Sequence, residues 1–246
     1  MYPQISFAHI NKTPNVGDLM CAPYHYFYFP NASVYDLKSS IPPSLAVIYG
    51  GGAIEPVLRN DRIHDKVDAR YKIAWGIGTS RSGMKDAGAL IDDLDLCGRR
   101  EFGRDGGEYV PCVSCMSDLF DNEYAVKHEI AFYTHAVKSK FENKDLKGMP
   151  VSPNRGDFSE IISFLASAET IVTDSFHGVY WATLLGKKVI CIPFSSKFYG
   201  YKFPPTYAKY STWRSFLDTA TQYDFALQDC RDINRNFYEK VMNLIS

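Results

Sequence analysis

The strongest constraint on this chain is a repeated unit, a short apolar run that ends in glycine or polar residues and leads into a helical pattern. Leu45 to Tyr49 (LAVIY) runs into Gly50-Gly51-Gly52, Lys72 to Ile77 into Gly78-Thr79-Ser80, and Thr170 to Thr173 (TIVT) into Asp174-Ser175-Phe176-His177-Gly178. Runs this short and apolar suit strands buried on both faces, and such strands belong to parallel sheets with helical crossovers. Gln4 to Ala8, Leu94 to Cys97 and Glu108 to Pro111 read as further strands of a first series, with a helix expected from Gly17 to Phe29 despite Pro23 inside it. A second series opens near Glu129. It reads as strand Ile130 to Thr134, helix Asp157 to Ala168, strand Thr170 to Thr173, helix Phe176 to Leu185 and strand Val189 to Pro193. The tail from Arg231 to Ile245 carries Ile233, Phe237, Val241 and Leu244 at helical spacing, and the aromatic, proline-bearing stretch Phe198 to Pro205 reads as loop.

With 246 residues the chain can form two small cores. The expected fold class is α/β, with two Rossmann-like doubly wound domains facing across a cleft. They span residues 1–125 and 126–246 and join near Asn122 to His128, and the terminal helix can pack back on the first domain. Open α/β sheets bind ligands beyond the carboxyl ends of their strands, where the glycine-rich and polar segments of this sequence fall. The 27 Lys and Arg against 28 Asp and Glu give a net charge of −1, which excludes a strongly basic nucleic-acid surface and leaves no nucleic-acid partner expected. The six cysteines are scattered over a chain too large to need a disulfide framework. No segment reaches the ~18 apolar residues of a membrane span, and the first residues lack a signal-peptide pattern, so a cytoplasmic location is expected.

Four segments can carry chemistry. Asn15-Val16-Gly17-Asp18 opens the first helix, where it either caps that helix or offers N–H groups to an anion or a sugar hydroxyl. Gly50-Gly51-Gly52 allows close backbone approach, as a ligand loop or an ordinary turn requires, but no Gly-Lys-Ser/Thr follows to make a P-loop. Gly76-Ile77-Gly78-Thr79-Ser80-Arg81 has the wrong spacing for a dinucleotide loop, while Arg81 could grip a carboxylate or phosphate. Cys112 and Cys115 have zinc-ligand spacing without a second pair, so they read as a thiol pair in an interior turn, with a metal the lesser alternative. The most specific block is Thr173 to Gly178. It leaves a buried strand and enters an apolar helix, with Ser175 able to cap that helix and His177 in its first turn. A histidine there can act as acid or base near neutral pH, provided Asp174 or a bound anion offsets the helix N-terminus.

In this order, Asn15-Val16-Gly17-Asp18, Gly50-Gly51-Gly52 and the Ser-Phe-His-Gly block ending in Leu184-Leu185-Gly186-Lys187-Lys188-Val189 resemble the polysaccharide pyruvyl transferase family, from about Phe7 to Pro193. The resemblance implies a GT-B-like fold and transfer of the enolpyruvyl group of phosphoenolpyruvate onto two hydroxyls of a sugar, giving a cyclic ketal. It further implies His177 as the general acid, a donor site that includes Ser175, Phe176 and Gly178, and an acceptor site at Asn15, Gly17, Asp18, Gly51 and Gly52. No metal or further cofactor is implied, and the acceptor would belong to a surface polysaccharide or its lipid-linked precursor at the inner face of the cytoplasmic membrane. Many members carry an arginine two positions before the histidine, where this chain has Ser175. Arg155, Arg81 and His135, with Lys197 and Lys202 in the aromatic loop, are the candidates to supply that charge. The missing arginine keeps two alternatives in play, a glycosyltransferase using a nucleotide sugar and a non-catalytic glycan-binding protein. The aromatic residues, 15% of the chain, include the cluster Phe194, Phe198, Tyr199, Tyr201, Phe203, Tyr207 and Tyr210, where sugar rings could stack.

Overall fold

Alternation along the strands sets the architecture. The computed structural model describes residues 4–60, 63–80 and 94–246. In the first series, β1 (Ile5–His9) is followed by α1 (Val16–Leu19), β2 (Ala32–Asp36), β3 (Ser44–Tyr49), α2 (Glu55–Asn60), β4 (Ala69–Ile77), β5 (Leu96–Arg99) and β6 (Glu108–Tyr109). These strands form a six-stranded sheet in the order β2-β1-β3-β4-β5-β6, with every pairing parallel. Phe7, Ile48, Ile73 and Trp75 face one apolar layer, whereas Ala8, Val47, Tyr49 and Ala74 face another that holds Ile54 and Leu58. A sheet with both faces covered needs strands that are apolar throughout, which is the pattern of LAVIY.

The second series is β7 (His128–Thr134), α3 (Asn143–Leu146), β8 (Val151–Pro153), α4 (Phe158–Ala166), β9 (Ala168–Thr173), α5 (Phe176–Leu184), β10 (Lys188–Cys191), β11 (Thr206–Tyr207) and α6 (Ala226–Ile245). Its five strands also pair in parallel, in the order β11-β10-β9-β7-β8. Tyr133, Ile171, Val189 and Cys191 point toward α4 and α5, and Phe132, Val172 and Ile190 toward Trp213. All nine residues of α5 are buried. A helix apolar on every side is stable only when it is enclosed, and here the second sheet, α4 and α6 enclose it.

The twenty-residue α6 spans the two layers. Ala226 and Cys230 sit with α5, while Phe237, Val241 and Ile245 cover the first sheet. Midway, Asn234 is fully buried and accepts a bond from the Trp75 indole at 2.8 Å.

The structure corrects several element boundaries. The helix expected from Gly17 to Phe29 is only the four-residue α1 and a separate 3-10 turn at Pro23–His25, because proline supplies no N–H to continue a helix and starts the second turn instead. The strand expected at Leu94 to Cys97 lies two residues later, and that beginning at Glu108 is two residues long. Asp157 is the N-cap of α4, accepting from the N–H groups of Ser159 and Glu160, and β9 has already begun at Ala168. The terminal helix starts at Ala226, one and a half turns ahead of Arg231. The edge strand β2 has no buried residue and no apolar run, and β8 and β11 are too short to show a pattern.

Candidate functional site

Both sheets reverse strand order once, the first between β1 and β3 and the second between β7 and β9. At such a reversal the crossovers leave in opposite directions and open a crevice beyond the strand ends. The two crevices share one cavity of about 220 Å³. From the first sheet it is lined by Ile10, Asn15 and Asp18 after β1, Ala53 after β3, Ser80 after β4 and Arg100 after β5. The second sheet contributes His135 and Lys138 after β7, Asn154 after β8, Ser175, Phe176 and His177 after β9, and Lys197 after β10.

Seven of the residues expected at a site therefore meet: Asn15, Asp18, His135, Ser175, Phe176, His177 and Lys197. Asn15 caps α1, accepting from the Gly17 N–H at 3.2 Å and donating to Asp18 Oδ2 at 2.7 Å. Its Oδ1 also accepts from Asn154 Nδ2 at 3.0 Å, which ties the two halves of the wall together. Ser175 begins α5 but makes no capping bond with its side chain, contrary to the expectation. Its backbone N–H instead donates to Thr173 Oγ1.

The glycines have a different part. A Cβ on Gly17 would fall on the His177 ring, so that glycine makes room for the imidazole against α1. Gly178 is pressed against Thr173 and Tyr133, which lets α5 lie close on its own sheet. Gly51 packs on Cys21 and Gly76, and Gly52 adopts a φ of 98° that only glycine takes without strain. None of the four lines the cavity, and each packs closely against a neighbouring segment. Arg155 is exposed and does not line it either, because its neighbour Asn154 takes the inward position. Lys202 is paired with Asp229 at 2.7 Å, and Arg81 lies outside the described residues. Cys112 and Cys115 are buried thiols on a 3-10 turn, as the thiol-pair reading has it.

Sequence reasoning missed Arg100, Lys138 and Asn154. Arg100 is the most consequential, being only 5% exposed with its guanidinium carbon 3.9 Å from the centre of the Phe176 ring. Its Nε has no hydrogen-bond partner among the described residues. Around it Arg99 and Arg104 share Glu55 at 2.8 and 2.9 Å, and Glu101 lies 3.8 Å from both Arg100 and Arg104. Three guanidiniums thus face two carboxylates in this cluster, and the surplus charge is on the cavity side. Lys197 adds another cation, its Nζ 5.2 and 5.1 Å from the ring centres of Phe194 and Phe198.

Burial and, after it, this surplus shift the titrating groups. Burial, reinforced by Arg100 and Lys197, holds His177 well below the usual histidine range. His135 is lowered by burial and by Lys197 and Lys138. Lys197 is brought down to about 8 by burial and Arg100, whereas Asp18 is raised by burial against the pull of Arg100. Asp174 is not available to offset the histidine, because its carboxylate accepts from the His135 N–H at 2.6 Å and the Tyr210 hydroxyl at 2.8 Å. The cavity at rest is therefore a cationic pocket around a neutral imidazole. An anion in the cavity would oppose the lowering of His177, His135 and Lys197 and add to the raising of Asp18.

Among known proteins, the sequence model of the family described as polysaccharide pyruvyl transferase matches residues 110–196. A functionally uncharacterized protein of Klebsiella pneumoniae subsp. pneumoniae NTUH-K2044, known from its crystal structure, is similar in fold, with a TM-score of 0.50 and 16% identity over 78% of this chain and 83% of that one. A search of curated proteins returns no match. The family match runs from the end of β6 through β10 and includes His135, Asn154, Ser175 and His177, so over residues 110–196 the chain is similar to the polysaccharide pyruvyl transferases, as the resemblance read from the sequence has it.

Proposed function

We propose that the protein transfers the pyruvyl group of phosphoenolpyruvate to two hydroxyls of one sugar and forms a cyclic ketal. The observation that carries this reading is the buried, neutral His177 in a cavity whose charged side chains are Arg100, Lys138, Lys197 and Asp18. A small trianionic donor fits that charge. Its phosphate and carboxylate would be held by Arg100, Lys138 and Lys197, and its negative charge would bring His177 to the protonated state that a general acid needs.

In the first step His177 gives its proton to the methylene carbon of the enol, and positive charge develops on the adjoining carbon. One sugar hydroxyl adds there and yields its proton to the imidazole. Phosphate then leaves with its bridging oxygen, the second hydroxyl closes on the same carbon, and its proton departs with the phosphate. Arg100 would stabilise the leaving phosphate from the first sheet, the role for which an arginine at position 175 is wanting.

In this reading the two sheets are the Rossmann-like domains of a GT-B-like arrangement, residues 1–125 on the acceptor side and 126–246 on the donor side. The acceptor would be a sugar of a surface polysaccharide or of its lipid-linked precursor at the inner face of the cytoplasmic membrane. No helix among the described residues is long and apolar enough to cross a membrane, so contact with such a precursor would be peripheral. The test is thermal unfolding with phosphoenolpyruvate, with nucleotide sugars and with no ligand, followed by phosphate release in the presence of acceptor glycans. Protection by phosphoenolpyruvate and phosphate release that needs the acceptor are expected. Protection by a nucleotide sugar alone would transfer the protein to the glycosyltransferases.

A further inference from the structure

Beside the cavity lies a larger depression of about 720 Å³, beyond the carboxyl ends of β10 and β11. Small-ligand pockets commonly measure ~300–1,000 Å³, so the cavity is suited to a compact donor and the depression to something longer. Tyr199, Tyr207, Tyr210 and Phe216 form its apolar surface, and Lys209 and Thr212 are among its polar lining.

Two of these tyrosines are fixed from behind, and the third packs on one of them. The Tyr207 hydroxyl donates to the Phe198 carbonyl at 2.6 Å, and that of Tyr210 donates to Asp174. The rings of Tyr199 and Tyr207 are 5.0 Å apart at 33°, and Tyr199 is 47% exposed. Rings anchored through their hydroxyls leave their faces for contact at little entropic cost. A pyranose ring has the matching chemistry, with an apolar C–H face to lie on the ring and hydroxyls to pair at the rim. An acyl chain would leave the polar rim unused.

Two links couple the walls of this groove to those of the cavity. One 3-10 turn, Ser196–Tyr199, carries Lys197 in the cavity and Tyr199 in the groove. Asp174 holds the His135 N–H with one oxygen and the Tyr210 hydroxyl with the other.

We infer that this groove is a carbohydrate subsite that binds the sugar units of an oligosaccharide lying next to the unit held in the cavity. The identification of those units as acceptor rests on the function proposed above, but the binding itself does not.

The test measures binding of galactose, glucose and mannose oligomers of one, three and five units by saturation-transfer NMR and titration, alongside thermal protection by phosphoenolpyruvate. Affinity in at least one series is expected to rise by about tenfold or more with length. Tyr199→Ala should remove that rise while protection by phosphoenolpyruvate is unchanged, and Tyr199→Phe, which keeps the ring, should preserve it. No length dependence in any series, or one that survives Tyr199→Ala, would overturn the inference. Length-dependent binding without phosphoenolpyruvate protection would leave the groove standing and defeat the donor assignment, whereas the opposite pair of results would defeat the groove alone.

Discussion

The two sheets bring different things to one cavity. The second contributes the groups suited to proton transfer, His177 and His135, on segments that leave β9 and β7. The first contributes the buried arginine, Arg100, together with Asp18 and the glycine that makes room for the imidazole, while the lysines Lys138 and Lys197 come from the second. A histidine motif alone therefore does not make this site. The imidazole and the arginine beside it come from separate sheets, and the Asn15–Asn154 bond joins a segment of one sheet to a segment of the other.

The sharpest way to break this division is to remove the proton. His177→Gln should lower phosphate release by ~10²–10⁴-fold, the usual contribution of a positioned acid, with phosphoenolpyruvate still protecting the fold. Equal rates in the variant and the parent would dismiss the acid role. Removing the charge should act on binding first. Arg100→Ala is expected to weaken phosphoenolpyruvate by ~1.5–3 kcal/mol, or roughly 10–100-fold, read as a shift in KM or in thermal protection. Adding Ser175→Arg to that variant should recover part of the loss if the guanidinium can enter from either sheet.

The glycines separate packing on the two sides. Gly17→Ala and Gly178→Ala should each cost ~1–3 kcal/mol of stability by overpacking, measured by denaturant unfolding. Only Gly17→Ala displaces the imidazole, so it alone should lower turnover beyond what the lost stability explains.

The smallest effect concerns pH. His177 and His135 are depressed in the folded state, as is His9, which burial brings to about 4. The unfolded chain therefore binds more protons as pH falls below about 6.5, and folding stability declines through that window. Phosphoenolpyruvate should reduce the decline at the cavity histidines and leave the His9 part, and thermal midpoints taken with and without it measure the difference.

How much of this was legible in the sequence follows the same division. β7, β9, β10, α4 and α5 are dense apolar elements, and their pattern located them to within a few residues. The His177 block is contiguous in sequence, so its place at a strand exit was readable. Arg100 was not, because it reaches Phe176 only through the docking of two sheets 76 positions apart in sequence. The one local hint was an Arg99-Arg100 pair at the end of an apolar strand, concealed when that strand was read as ending at Cys97. The glycine segments were visible, but their purpose depends on what faces them. Gly17 meets a ring from the other half of the chain, which no local pattern encodes.

The long terminal helix has a mechanical consequence. Proteins that bind at a seam between two units commonly work by hinge closure. Here one rod is seated on both sides of the seam, through Asn234 on Trp75 at one sheet and Cys230 beside α5 at the other. Arg231 adds bonds to the Cys115 and Ser117 carbonyls at 2.9 and 2.8 Å. Rotating one sheet against the other would unseat an end of that rod and strip a buried indole of its acceptor. The helix thus lies as a splint across the joint between the sheet that bears the guanidinium and the sheet that bears the imidazole.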